Sequence, residues 1–386
     1  MSNRQIPDSR ESGNVALGEH WIPAFAGMTR RPNPYTRWFA LSRTKLLENY
    51  AMRKTLNIGL IGVGRLGAVY GRYFLGSINQ ARLIAVFDIN EKVQQAFADE
   101  NDIPKRYADY GDLLADKEID AVVIVTPTNT HKEIVLEAAR QGKAVFCEKP
   151  LALSVQDCQA MKDAVDRSGI FFHLGFMRRF DAGYAAAKQK IESGVIGKPI
   201  VLKSSSRDPF RPSLEYLDPK NSGGLFTDCG IHDIDLARWY MGEVRSVYSI
   251  GGNLAYPEMD EIGDVDNAIT TLQFENGSLG VIDLSRSGVY GYDIRTEILG
   301  TQGTLQIGYL RETPLLVLTK GNVGHDTVPY FMERFGQAYR TQLQHFVDRF
   351  LSGQSPSITC ADGLAALKVT LAATQSWKEK RPVTVG

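Results

Sequence analysis

Four polar residues in this chain have the types and spacing that proton-transfer chemistry needs. Asp228, His232 and Asp235 lie at i, i+4 and i+7 after Gly223-Gly224, so one face of a helix would carry all three side chains. Histidine can accept a hydroxyl proton at neutral pH, and a carboxylate one turn earlier can orient it or bind a neighbouring hydroxyl. Lys149 could share its proton with a reacting hydroxyl. A structural histidine and a solvated loop lysine are the alternatives.

The residues before Lys149 place it at the edge of a sheet. Glu148-Lys149-Pro150 directly follows the apolar run Ala144 to Phe146. Because open α/β sheets bind ligands outside the carboxyl ends of their strands, Lys149 is expected beside a ligand. No Cys or second His lies at ligand spacing from these groups, so no metal site is predicted.

A glycine-rich turn, Gly62-Val63-Gly64-Arg65-Leu66-Gly67, directly follows the apolar run Leu56 to Ile61 and opens a helix. In a dinucleotide site Gly62 permits the tight turn, Gly64 lets the backbone approach a pyrophosphate and Gly67 lets the helix pack on the strand. A plain glycine turn is the alternative. The strand-to-helix context favours cofactor binding.

Asp88 ends the second predicted strand, Leu83 to Phe87, about 20 residues beyond the glycine turn. A carboxylate there accepts both adenosine ribose hydroxyls and repels a 2′-phosphate, so NAD is favoured over NADP. Arg65 could contact a phosphate, which keeps NADP possible. Asp88 could instead begin an Asx turn.

The first half of the chain repeats strand, turn and helix, which predicts a doubly wound parallel sheet of the α/β class. Short continuous apolar runs are typical of strands covered on both faces. One helix is predicted over His131 to Gln141, with a capping box of Thr130 and Glu133, and another over Val155 to Ser168, which starts after Ser154 and stops at Gly169. The predicted strands are Leu56 to Ile61, Leu83 to Phe87, Ala121 to Val125, Ala144 to Phe146 and Phe171 to Leu174.

From residue 176 the pattern changes to longer strands with polar alternation, which predicts an α+β domain with one large, mainly antiparallel sheet. Helices at Gly230 to Met241 and Phe346 to Leu351 would lie against the sheet, and Gly363 to Trp377 is the last helical pattern. The predicted strands are Ile200 to Ser206, Val244 to Gly251, Ala268 to Phe274, Ser278 to Leu284, Arg295 to Leu299, Thr304 to Ile307 and Leu315 to Thr319.

The length of the chain limits how it can be divided. Its 386 residues exceed the roughly 250 to 300 that one hydrophobic core holds, so two domains are expected, at 52–175 and 176–386. Residues 1–51 show no sustained periodicity and are interpreted as a non-native or disordered leader, with Met52 as the candidate start. A genuine disordered extension is the alternative.

The composition excludes several classes of partner. With 44 basic and 44 acidic residues, the formal charge of zero argues against binding to nucleic acid or to an anionic membrane. No apolar run approaches the roughly 18 residues of a membrane span. The four cysteines contain no C-x-x-C pair, which is typical of a reducing cytoplasm. A small-molecule ligand is therefore expected.

The sequence from Thr55 to Val385 resembles the glucose-fructose oxidoreductase and inositol dehydrogenase family, and within it the inositol 2-dehydrogenases. The resemblance implies a Rossmann domain and an open-sheet domain, hydride transfer between NAD and a sugar or polyol, and a homo-oligomer, dimer or tetramer, packed through the sheets. It is carried by the glycine turn, Thr126-Pro127 with His131, Glu148-Lys149-Pro150, Gly175-Phe176-Met177-Arg178-Arg179-Phe180-Asp181, the run from Gly223-Gly224 through Asp228 to His232, and Gly291-Tyr292-Asp293.

The resemblance also implies residue roles. Lys149, Asp228 and His232 would be catalytic, with His232 as the base. The substrate would contact Arg178, Asp208, Asp235 and Tyr292. Arg178 could instead tie the two domains together with Arg179. The cofactor would contact Gly62, Gly64, Arg65, Leu66, Gly67, Asp88, Thr126, Pro127, Asn129, His131, Glu148 and Met177, although His131 could equally be a first-turn helix residue.

One departure from the family pattern concerns the substrate. Inositol dehydrogenases of the best-known type place His-Arg-Asn on the first strand of the second domain, where this chain has Ser206-Arg207-Asp208. Asp208 could still accept a hydrogen bond from a hydroxyl, but the missing histidine leaves the particular inositol open. The sequence predicts NAD-dependent oxidation of a cyclic polyol, an inositol, to a ketone. A dehydrogenase or reductase of another sugar, an NAD-assisted glycosidase and a non-catalytic dinucleotide sensor are the alternatives.

Overall fold

Two large β-sheets organise residues 55–386, which are the residues that this computed structural model describes. The predicted leader, 1–51, and the candidate start Met52 lie outside them. None of the helices within 55–386 is both long enough and apolar enough to span a bilayer.

The first sheet has six parallel strands. They are β1 Leu56–Ile61, β2 Ala81–Phe87, β3 Lys105–Arg106, β4 Ala121–Ile124, β5 Ala144–Glu148 and β6 Phe172–Gly175. The helices between and beside them are α1 Arg65–Gly76, α2 Glu91–Glu100, α3 Tyr110–Ala115, α4 His131–Arg140 and α5 Val155–Ser168. The strand order β3-β2-β1-β4-β5-β6 is that of a dinucleotide-binding domain, in which ligands bind at the β1/β4 switch point. The doubly wound parallel sheet is confirmed.

The ends of two helices test the predicted caps. The side chain of Ser154 accepts a hydrogen bond from the Asp157 N–H at 3.0 Å to begin α5, which ends at Gly169 with φ of 67°. The predicted capping box at α4 is wrong. Thr130 already has helical backbone angles, and its hydroxyl donates to Thr126 Oγ1 at 2.7 Å instead of receiving a helix N–H.

The second sheet has seven strands, and five of its six pairings are antiparallel. The strands are β7 Pro199–Arg207, β8 Val244–Gly252, β9 Asn267–Phe274, β10 Leu279–Ser285, β11 Asp293–Gly300, β12 Thr304–Ile307 and, at the C-terminus, Val383–Thr384. The helices are α6 Ala182–Glu192, α7 Leu214–Leu217, α8 Pro219–Ser222, α9 Gly224–Asp228, α10 Gly230–Met241, α11 Phe331–Leu351 and α12 Cys360–Glu379. The mainly antiparallel sheet is confirmed; the parallel pair is β7 with β10.

Two predicted elements of this half differ from the structure. Leu315 to Thr319 does not join the large sheet: the strand is β13 Val317–Thr319, which pairs with β14 Asn322–Gly324 in a separate hairpin. Its side chains are exposed, so no core face fixes it to the sheet. The helix predicted from Phe346 begins fifteen residues earlier, at Phe331. The apolar pattern missed this part of α11 because its buried face includes polar residues such as Gln342.

The C-terminal helices return to the first sheet and bring the two halves together. Gln342 on α11 donates from Nε2 to the Tyr70 hydroxyl at 2.7 Å, and the Tyr73 hydroxyl donates to the Gly336 carbonyl at 3.1 Å. The Leu174 N–H donates to the Ile358 carbonyl at 3.1 Å, just before α12. Helix α1 and strand β6 of the first half therefore bond to α11 and to the segment before α12.

Candidate active site

The glycine turn between β1 and α1 has the shape of a pyrophosphate cradle. Gly62 has φ of 93°, which favours glycine, and a Cβ at Gly67 would lie 2.0 Å from the Gly62 carbonyl oxygen. A Cβ at Gly64 would meet no atom within 4 Å, so open space lies beside the backbone at the start of the helix. Close packing on one side and open space on the other fit a bound dinucleotide.

Asp88 supports this turn from the end of β2. Its Oδ2 accepts the Val63 N–H at 2.8 Å, and its Oδ1 accepts the Asn90 N–H at 2.8 Å. The Asx-turn alternative is therefore present, together with a direct contact to the glycine turn. Each carboxylate oxygen can accept a further hydrogen bond, so binding of ribose hydroxyls stays a prediction.

Arg65 and Leu66 fix the turn against other parts of the protein. The Arg65 guanidinium carbon lies 5.8 Å from the ring centre of Tyr330 and 5.2 Å from that of Phe331. Leu66 is half-buried against the core. The sequence did not single out Tyr330, whose ring also stacks on that of Phe210 at 4.9 Å.

The loop after β4 contains four predicted cofactor residues, which divide into two groups. Pro127 and Asn129 are exposed and Thr126 is half-buried, so all three lie at the edge of the sheet. His131 is only 1% exposed, with Nδ1 2.9 Å from the Pro150 carbonyl and Nε2 3.0 Å from the Thr126 carbonyl. His131 is thus a first-turn helix residue that links two loops rather than an open contact for the cofactor.

Glu148 is likewise turned inward. Its Oε1 accepts a short hydrogen bond from the Tyr70 hydroxyl, and its Oε2 accepts the Lys149 N–H at 3.0 Å. Burial raises the pKa of this carboxyl group. A Cβ at Gly175 would lie 2.8 Å from Glu148 Oε1, so the glycine leaves room for the carboxylate. Glu148 positions the Lys149 backbone, and its contact with the cofactor stays a prediction.

Lys149 and Asp228 come together as predicted. Lys149 Nζ donates to the Asp228 carbonyl at 3.0 Å and lies 3.6 Å from Asp228 Oδ1. Arg286 donates from Nη2 to Asp228 Oδ2 at 3.0 Å. Although burial raises the pKa of Asp228, the two cations outweigh it and lower the pKa overall. A carboxylate therefore lies between an ammonium and a guanidinium group.

His232 lies in the first turn of α10 and is 7% exposed. Burial, reinforced by Lys149 and Arg178, lowers the pKa of His232 well below 6.5, so the imidazole is neutral at pH 7. Its Nδ1 is buried without a partner in residues 55–386. The hydrogen bond in which the His232 ring would donate to Asp228 is absent from that range, because Asp228 ends α9, Cys229 separates it from α10, and the carboxylate faces Lys149.

The structure does not bring Asp235 into this group. Asp235 is 1% exposed, and its two oxygens bond to Arg179 at 2.5 Å and 2.9 Å. Arg179 also bonds to Asp362 Oδ1 at 3.0 Å. The break between α9 and α10 separates Asp228 from His232 and Asp235, which stay together on α10, and Asp235 serves an internal ion pair.

Arg178 is also an internal tie. Its guanidinium donates to Asp233 Oδ1 and to Ser206 Oγ, both at 2.9 Å, and the residue is 2% exposed. Both partners lie in the second half, 176–386, as Arg178 itself does, so these bonds do not tie the two halves together and the contact of Arg178 with substrate stays a prediction. Met177, at 2% exposed, is buried beside Arg178.

Asp208 and Tyr292 line the side of the site formed by the second sheet. Asp208 Oδ2 accepts from Cys229 Sγ at 3.3 Å and lies 3.5 Å from Arg286 Nη1. Burial raises the pKa of Asp208, and it raises that of Tyr292, which is 6% exposed. Arg286 was missed because it directly follows β10, where alternation gives no sign that a charged residue points inward.

The fold and this site together define an NAD-binding oxidoreductase. Residues 56–176 match the model described as the oxidoreductase family, NAD-binding Rossmann fold, and residues 188–385 match that of the oxidoreductase family, C-terminal alpha/beta domain. The chain belongs to this family, that of glucose-fructose oxidoreductase and inositol dehydrogenase.

Relatives of known name cover almost the whole described part of the chain. The scyllo-inositol 2-dehydrogenase (NAD(+)) of Bacillus subtilis is 40% identical over 86% of this chain and 97% of its own length. The myo-inositol 2-dehydrogenase of Thermotoga maritima is 39% identical over 85% of this chain and 98% of its own length. The crystal structure of Lactobacillus casei scyllo-inositol dehydrogenase with NAD(H) and scyllo-inositol superposes with a TM-score of 0.82, at 33% identity, over 86% of this chain and 99% of that one.

Proposed function

We propose that this protein is an NAD-dependent inositol 2-dehydrogenase that oxidises one secondary hydroxyl of an inositol to a ketone. The observation that carries the proposal is the ion pair of Lys149 with Asp228 beside a buried His232. This group follows β5 and begins α10, at the sheet edge where the glycine turn would place a nicotinamide. Relatives that act on scyllo- and myo-inositol support the choice of substrate.

The residues of the site divide the chemical step between them. Gly62–Gly67 and Asp88 would hold NAD, which when bound accepts the hydride from the carbinol carbon. Neutral His232 takes the proton of the hydroxyl. Lys149, held by Asp228, donates a hydrogen bond to the oxygen as negative charge develops on it. The hydroxyl thus loses one proton to the protein, and its carbon loses one hydride.

The division into two domains, the oligomeric assembly and the cellular location are part of the same proposal. Separate domains at 52–175 and 176–386 are supported by the two family-model matches. A dimer or tetramer packed through the second sheet is supported by apolar side chains exposed on its strands, namely Ile250, Ile269 and Leu279 at 54%, 46% and 54%. A reducing cytoplasm is supported by four free cysteines. Analytical ultracentrifugation would test the assembly.

The experiment that tests the activity is a substrate screen with the purified protein. Inositol isomers and aldoses are each supplied with NAD or NADP, and reduction of the cofactor is followed by absorbance. We expect steady NADH formation with at least one inositol and a preference for NAD. Reaction with aldoses alone would contradict the choice of inositol but retain the dehydrogenase. Glycoside hydrolysis without net NADH, or NAD binding without any turnover, would contradict the dehydrogenase itself.

A further inference from the structure

Arg286 is a buried cation of this site that belongs to none of the motifs carrying the family resemblance. It follows β10, is 1% exposed, and is the largest fully buried side chain in residues 55–386. Its Nη2 lies 3.0 Å from Asp228 Oδ2 and its Nη1 lies 3.5 Å from Asp208 Oδ2. Its Nε is buried without a partner in the described range. One guanidinium group therefore spans two carboxylates from different elements.

The charges around Arg286 balance only when it is present. Lys149 and Arg286 are cationic, and Asp208 and Asp228 can be anionic. Without Arg286, Lys149 would still face Asp228, but no guanidinium group would lie between Asp228 and Asp208, and two nearby carboxylates raise each other's pKa. Burial raises the pKa of Asp208 despite Arg286, whereas Lys149 and Arg286 together lower that of Asp228. The ionised form of Asp228 thus depends on a cation that sequence motifs overlook.

We infer that Arg286 is a positioning residue of the dehydrogenase, which keeps Asp228 ionised to fix Lys149 and keeps Asp208 available to a substrate hydroxyl. The inference rests on the proposed function of the site. On the substrate side of the site, Arg286 and Asp208 would together replace the histidine of the His-Arg-Asn run, which this chain lacks. The other titratable and charged groups that face the two carboxylates are Arg178, Tyr216, Cys229, Asp264, Tyr292 and Tyr330.

The first test is the pH profile of kcat/KM in Arg286→Met and Arg286→Lys. Removing a cation from a carboxylate raises its pKa, so more of the carboxylate is protonated at a given pH. We therefore expect the acid limb of Arg286→Met to move upward by about one pH unit or more, with a fall in kcat. Arg286→Lys should restore part of kcat and should move the acid limb less far than Arg286→Met does. An acid limb and a kcat equal to those of the unmodified enzyme would overturn the inference.

A matched control separates positioning from stability. Arg334 is also a buried arginine, with Nη1 2.6 Å from Asp181 Oδ2 and an Nε without a partner in residues 55–386, but it does not touch the site. Arg334→Met should lower the midpoint of thermal unfolding about as much as Arg286→Met and leave the acid limb in place. If both variants move the limb equally, Arg286 has only a structural role.

A double variant tests the charge balance directly and remains usable if Arg286→Met fails to fold. In Asp208→Asn/Arg286→Met, Asp228 keeps Lys149 and no longer lies near a second carboxylate. The acid limb should return toward that of the unmodified enzyme, although KM stays high because Asp208 is lost. A limb that remains displaced would show that neutralising Asp208 is not the role of Arg286.

A readout without turnover keeps this inference separate from the proposed function. Cys229 is the half-buried cysteine, and the other three are buried. Burial raises the pKa of Cys229 and Arg286 partly opposes it, so loss of the cation makes the reactive thiolate scarcer. Alkylation of Cys229 by iodoacetamide, measured by mass spectrometry, should slow several-fold in Arg286→Met and little in Arg286→Lys. An unchanged rate would contradict control by Arg286 even if every polyol proved inert.

Discussion

At the residue scale, the protonation states of His232 and Asp228 together set the acid limit of the pH range in which the site can work. Burial, with Lys149 and Arg178 nearby, lowers the pKa of His232 well below 6.5. A histidine with a lower pKa stays deprotonated to more acidic pH. We therefore expect kcat/KM to stay level from about pH 8 down to pH 6.5 and to fall only below it. Half-loss near pH 6.5 would show an unperturbed histidine instead.

Replacing His232 should remove the base without removing the cofactor site. For His232→Ala we expect kcat to fall about 10²- to 10⁴-fold, since general-base catalysis typically contributes that much. The Kd for NAD, measured by calorimetry, should stay within about twofold, because the glycine turn lies on other elements. The exposed His325 provides the control: His325→Ala should change neither quantity. Wild-type turnover in His232→Ala would remove His232 from the mechanism.

Asp88 determines the choice between NAD and NADP if it binds ribose as predicted. Asp88→Ala removes the charge that repels a 2′-phosphate, and it also removes the acceptor of the Val63 N–H. We expect KM for NAD to rise about tenfold, the cost of roughly one good hydrogen bond to a charged group, and the preference for NAD to shrink. Steady-state kinetics with both cofactors measure this ratio. An unchanged ratio would leave Asp88 only its role in the Asx turn.

At the element scale, a strand or helix could be predicted from the sequence where the residues that determine it lie within the segment itself. The strands β1 and β5 and the helix α5 were predictable because continuous apolar runs and a Ser154 cap lie within each segment. The pairing of Lys149 with Asp228 was implied by family motifs. The first fifteen residues of α11 and the inward-facing Arg286 were not predictable, because their buried polar groups have partners far along the chain. Gln342, for example, bonds to Tyr70 at a separation of 272 residues.

The contact of α1 and α11 with Glu148 can be tested through Tyr70. Tyr70→Phe removes the hydroxyl that donates to Glu148 and accepts from Gln342, and leaves a buried carboxylate with fewer donors. We expect a loss of about 1 to 3 kcal/mol in the free energy of unfolding by urea, together with a lower kcat because the Lys149 backbone shifts. Tyr73→Phe is the control, since Tyr73 bonds across the same interface to the Gly336 carbonyl. An equal fall in kcat for both variants would contradict a specific role for Glu148.

At the scale of the whole molecule, buried histidines link stability to pH. Four of the six histidines, His131, His173, His232 and His345, have a pKa lowered by burial. Each binds a proton more readily in the unfolded chain, whose histidine pKa is about 6.5. Stability therefore rises with pH between the folded and the unfolded pKa and is lost as the pH falls below 6.5. We expect the free energy of unfolding to fall steeply from pH 6.5 toward pH 5.

His173 should account for a measurable share of this loss. Burial, and then His345, lower the pKa of His173 to about 3, and both ring nitrogens are buried without partners in residues 55–386. Its ring stacks on that of Phe146 at 5.8 Å, so a phenyl ring fits the same surroundings. At pH 5 the protonation of His173 in the unfolded chain costs the folded state about 2 kcal/mol. The free energy of unfolding in urea is compared at pH 7.5 and pH 5. In His173→Phe the loss of stability between these two pH values should be smaller by that amount, whereas in His325→Phe, at an exposed position, the slope should be unchanged. The same slope in His173→Phe as in the unmodified protein would mean that the buried ring takes up a proton in the folded state, and that some polar group reaches it when it does.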